Sequence, residues 1–142
     1  MSVILGILAL TAVPQSSSNP VASEAPATVS TAEVEVEVER AARDWLALGD
    51  EGRWRDGWNA SSESFRKLNT LERWTEVARK VRTPLGAVVA RKAISQDRVP
   101  APPAGVQVVK FRTSFANKSD AVETVSLARE NGSSKVVGIY IN

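Results

Sequence analysis

At Pro84 the spacing of apolar residues changes from three-and-four to two, and that switch divides the chain into a helical first half and a stranded second half. Upstream, Val34, Val38, Ala41, Trp45 and Leu48 form one stripe at helical spacing, which reads Glu33 to Glu39 (EVEVEVE) as helix despite its alternation. The early Glu residues complement the positive end of that helix, and Gly49 and Gly52 end it. A short second helix holds Trp54 and Trp58 one turn apart. Asn69 with Glu72 resembles a capping box opening a third helix, with Leu71, Trp74, Ala78 and Val81 on one face and Pro84 as its stop.

Downstream, Leu85 to Ser95, Val106 to Ala116, Ala121 to Arg129 and Lys135 to Ile141 read as four strands. They are separated by a Pro/Gly-rich loop (Pro100 to Gly105), by Asn117 to Asp120 and by Asn131-Gly132, a hairpin turn signal. Connections this short make the sheet antiparallel. The expectation is an α+β domain over residues 31–142, with three N-terminal helices packed on one face of a curved four-stranded antiparallel sheet.

Residues 1–30 read differently. Ser2 to Val13 (SVILGILALTAV) is too short for the roughly 20 residues that span a bilayer and has the length of a signal-peptide apolar core. Pro14 to Ser30 is rich in Pro, Ser and Ala and reads as a disordered linker. The expectation is export to the periplasm or beyond, with membrane attachment only through an uncleaved N-terminal segment.

The 142 residues include no His and no Cys, which removes imidazole relays, thiol nucleophiles, the ordinary zinc and haem ligands and disulfides. No cofactor or metal is expected. Residues 1–39 hold five acids and no base, leaving residues 40–142 with 18 basic and 11 acidic side chains, a net of +7. Those bases are scattered, except for Arg79, Lys80 and Arg82 where a helix C-terminus favours cations. A specific nucleic-acid site is therefore not expected.

Several blocks, in order, carry a resemblance to a known family: AARDWLALGDEGRWRDGW, SSESFRKL, RTPLGAVVARKAIS, and FANKSDAVETVSL through VVGIYIN. Ala41 to Asn142 resembles the bacterial exported family called domain of unknown function 4019. Its layout is similar to the cone-shaped, nuclear-transport-factor-2-like or cystatin-like α+β fold, in which a sheet wraps helices around a cavity. Ser134 stands where the family commonly places a Trp. The resemblance implies no activity, because a fold does not fix a function.

Glu123 is the sharpest candidate residue. It shares a strand face with Ala121, Val125 and Leu127, so an inward face would bury a carboxylate that needs a partner. Arg91, alternating with Val89 and Ala93, is the candidate counter-ion, and a register-fixing ion pair is the first reading of the two. Trp58 and Phe111 complete the set of pocket candidates, although core packing is the ordinary role of such aromatics. The residues favour a non-enzymatic binding or interaction module of the cell envelope, for an unknown small molecule or envelope protein, with a homodimer through the sheet face as a further option. The competing reading is a small enzyme using Glu123 as general acid or base.

Overall fold

The computed structural model describes residues 29–102 and 104–142, so the signal-like run and nearly all of the linker lie outside the described residues. Ser30 opens the first helix, α1 (Thr31–Asp50), through a complete capping box with Glu33: each side chain bonds the other residue's backbone N–H. The alternating Glu-Val run is helical, as its wider spacing requires. Val38, Ala42, Trp45 and Leu46 are its buried residues.

Among the described residues four α-helices precede the sheet, where the sequence suggested three. After α2 (Trp54–Ala60), Ser62 caps a six-residue helix, α3 (Glu63–Leu68), by accepting from the Phe65 N–H. Two turns are too few to display a period, which is why only its cap betrays it. α4 (Leu71–Arg82) follows, and its cap is Thr70, whose hydroxyl accepts from the Arg73 N–H. Asn69, expected to cap α4, instead closes α3, its side chain donating to the Phe65 carbonyl. On α4, Ala78 is buried and Trp74 packs against the core, but Val81 remains 46% exposed and does not join it.

Pro84 lies in a 3₁₀ turn, η1 (Thr83–Leu85), so the first strand starts three residues later than the alternation suggested. Gly86 makes the corner at φ 78°, ψ −165°, a region open essentially to glycine alone. The strands are β1 (Val88–Val99), β2 (Val106–Phe115), β3 (Lys118–Glu130) and β4 (Ser133–Ile141), paired antiparallel in the order β1-β2-β3-β4. The β2–β3 loop is shorter than expected, since Lys118 to Asp120 already belong to β3. Asn131 (φ 50°) and Gly132 (φ 80°) form the β3–β4 turn, both with the positive φ that a tight hairpin demands.

One sheet face is buried. Val109, Phe111, Thr113 and Phe115 from β2 and Ala121, Glu123, Val125 and Leu127 from β3 are each no more than 1% exposed. The helices cover this face: Val38, Ala42, Trp45 and Leu46 of α1 form one core cluster with Val109, Phe111, Val125, Leu127 and Val136. Trp45 donates from Nε1 to the Gly57 carbonyl and the Ser61 hydroxyl, joining α2 to that core. Ser134 donates from its hydroxyl to Glu37 at 2.7 Å and so ties β4 to α1 by a polar contact.

Candidate functional site

Strand alternation decides where Glu123 points. With Ala121, Val125 and Leu127 beneath the helices, Glu123 shares their face and is 1% exposed. Arg91 lies opposite Thr113 in the β1–β2 register, one strand further out, and reaches across β2 to the carboxylate. Its Nε donates to Glu123 Oε1 at 2.7 Å and its Nη2 to Oε2 at 3.2 Å, a two-point contact. The Thr113 hydroxyl donates to the same Oε1 at 2.5 Å.

The pair belongs to a larger cluster. Asp50, at the last position of α1, accepts from Arg91 Nη1 at 2.7 Å and Nη2 at 3.0 Å, and from Arg82 Nη2 at 3.1 Å. A carboxylate at a helix C-terminus opposes the macrodipole, and two guanidinium groups offset that here. Arg82 comes from the end of α4, donates from Nη1 to the Gly86 carbonyl at 2.5 Å and lies 4.6 Å above the Phe115 ring. Its Nε is buried without a partner among the described residues. Two acids and two arginines thus close a charge-balanced network joining α1, α4 and the first three strands.

Burial pushes the Asp50 carboxyl up, but hydrogen bonds and charge from Arg91, then from Arg82, outweigh it and hold the group below its ordinary value. For Arg91, burial works toward a lower value, and bonding to Asp50 and Glu123 raises it overall. The guanidinium stays charged throughout.

Beside this cluster lies a groove of about 430 Å³ between the helices and the free end of β4. Trp54, Trp74, Val77 and Val81 form its helical wall, and Ile139 and Ile141 its strand wall. Asp50, Arg82 and Glu123 make its polar end. The volume falls within the roughly 300–1,000 Å³ usual for ligand pockets.

The four candidate residues separate. Glu123 and Arg91 meet, and Glu123 borders the groove. Phe111 does not: it pairs with Ala93 and Glu123 at the centre of the sheet, is 0% exposed, and lies under the Arg43 guanidinium as part of the core. Trp58 also lies outside the lining, its Nε1 held by the Asn69 carbonyl at 2.7 Å and its ring facing Arg66. Its partner one turn earlier, Trp54, takes the groove position instead. Asp50 and Arg82 were missed as site residues. Their local sequence signals, an acid before a helix-ending Gly and a base at a helix C-terminus, describe caps and solvated turns equally well.

Among the described residues, no three Asp or Glu side chains converge as a metal site, and no helix is long and apolar enough to cross a membrane. No curated protein matches the chain. Residues 41–139 match the family model described as protein of unknown function (DUF4019), from the middle of α1 through Ile139, and the chain belongs to that family.

Proposed function

We propose that this chain is a non-enzymatic binding module of the cell envelope, exported by its N-terminal apolar run, whose ligand occupies the groove between α4 and β4. The groove itself carries the reading: a largely apolar cleft of ligand size, with Val77 and Val81 each 46% exposed on one wall and the ordered Asp50, Arg82 and Glu123 at one end. Export is supported by Ser2 to Val13 followed by a Pro/Ser/Ala stretch.

The cluster favours binding over turnover. Glu123 has both oxygens engaged by Arg91, and Oε1 by Thr113 as well, which makes it a fixed acceptor at the groove's end.

The test is equilibrium binding of an apolar fluorescent probe, anilinonaphthalene sulfonate, to the full chain. One saturable site that quenches Trp54 and is lost in Val77→Trp, which fills the groove from an exposed helix position, is the expected result. Binding that ignores Val77→Trp, or no binding, overturns the groove. Mass spectrometry of the protein from cell fractions tests export separately. An intact N-terminus in the cytoplasmic fraction overturns it.

A further inference from the structure

The backbone of β4 says what kind of ligand would fit. β4 is an edge strand, and its Asn142 neighbour exchanges both backbone hydrogen bonds with Val122 of β3, each at 3.2 Å. Bonded pairs recur every second residue in an antiparallel ladder, so Tyr140, opposite Thr124, turns its N–H and C=O toward β3 as well. The N–H and C=O groups of Ile139 and Ile141 therefore point off the sheet. Both residues line the groove, and their side chains are half-buried.

Among the described residues this stretch of edge is uncovered, whereas the rest of the sheet's edges are guarded. Upstream, the Val136 carbonyl is taken by the Ser62 N–H at 2.9 Å, so α3 closes the edge at that point. At the opposite side of the sheet, β1 is interrupted by two register shifts and carries Arg91, Lys92, Asp97 and Arg98. Charges and irregularities of that kind are how proteins prevent unwanted strand pairing. Past its own irregularity near Val137, the run Gly138 to Ile141 has neither. α4 and this edge face each other across the groove, which Val77 and Val81 line from one side and Ile139 and Ile141 from the other.

We infer that the groove's ligand is an extended segment of a partner protein that adds to β4 as a fifth strand, an inference that rests on the groove being the binding site. Such a strand lies about 4.8 Å beyond β4, where its backbone meets the four groups of Ile139 and Ile141 that are unpaired among the described residues. Its alternate side chains enter between Ile139, Ile141 and the Val77–Val81 row of α4. Each charged residue that lines the groove already holds an opposite charge, Asp50 with Arg82 and Arg91, Glu123 with Arg91 and Arg53 with Asp56, so the entering side chains are uncharged: β-branched or aromatic. The intervening side chains face the other way, alongside Gly138 and the 65% exposed Tyr140.

The experiment selects peptides from a random phage-displayed library against the full chain, then rescans the best binder with single backbone N-methyl groups. Expected are apolar residues at alternate positions, a tenfold or greater loss of affinity from N-methylation at alternate positions only, and slowed amide exchange at Ile139 and Ile141 in the complex. Val81→Asp, on an exposed helix position, should weaken binding at least tenfold while leaving the free chain's spectrum native. Peptides that bind in the groove yet tolerate every N-methyl group overturn strand addition and leave the groove reading intact. Binding confined to the outer sheet face around Lys110 and Arg112, or no binder at all while the apolar probe still binds, overturns the inference likewise. Amides of Ile139 and Ile141 already protected in a self-associated free chain overturn it in favour of a second copy. Failure of both peptide and probe overturns both readings.

Discussion

Replacing Glu123 with Gln removes one charge from the centre of the cluster and changes almost nothing else in volume. The side chain is 1% exposed and its carboxylate accepts three hydrogen bonds, two from Arg91 and one from Thr113. A Gln oxygen can keep the Oε1 position and its two donors. The new amide NH₂ then stands at Oε2, facing Arg91 Nη2, donor against donor. One charge-assisted bond is lost, worth about 1.5–3 kcal/mol, and a buried donor is left opposed, costing about 1–3 kcal/mol more. The upper end of the range for a broken buried ion pair, about 5 kcal/mol, does not apply, because Arg91 keeps its two-point contact with Asp50. The expected loss is about 3 kcal/mol, measured by urea denaturation at neutral pH and little changed by added salt, since the pair is shielded from solvent. A loss below about 1 kcal/mol with an unchanged fold would refute the reasoning and free Glu123 for a role in the groove.

Two further perturbations test the surrounding framework. Trp45→Ala should cost about 3–5 kcal/mol in chemical denaturation, because the ring is 7% exposed, packs 5.6 Å from Trp74 and 6.4 Å from Phe65, and holds Gly57 and Ser61 through Nε1; a loss under about 1 kcal/mol would mean the α1 face is misassigned. Asp50 is held below its ordinary value of 3.8, so its contribution is complete above that value and fades as pH falls through it toward the lower folded value. Asp50→Asn should therefore be less stable at neutral pH and show a shallower decline in stability across the acid range; identical acid profiles for the two proteins would remove Asp50 from the network.

Much of the fold was legible because it follows from local rules. The stripe through Val34, Val38 and Trp45 outweighed the Glu-Val alternation, and Asn131-Gly132 marked its hairpin. What escaped was short or was decided elsewhere in the molecule. α3 is too brief to show a period, and Thr70 rather than Asn69 caps α4 because Asn69 is already committed to the end of α3. Phe111 and Glu123 are register partners on neighbouring strands and looked alike as inward candidates. Only their place across the sheet separates a core ring under α1 from a carboxylate at the rim of the groove.

The cluster shows the same limit in sharper form. Strand alternation alone brought Glu123 inward and made Arg91 a plausible partner, since both depend on a period of two within one sheet. Asp50 and Arg82 reach them from the C-terminal ends of two helices, and no spacing in the sequence records where two helix ends meet. Yet their position follows once the sheet is built. A buried carboxylate needs a cation, and that cation, with nine-tenths of its side chain buried, needs its remaining donors satisfied. Asp50 accepts three hydrogen bonds, two from Arg91 and one from Arg82. Arg82 in turn spends its other terminal nitrogen on Gly86, the residue that turns the chain into β1. The charge that Glu123 brings into the core is thus carried outward through four side chains to the corner where the helical half becomes the sheet. The groove opens beside that corner, so its polar end is as rigid as the junction that holds the two halves together.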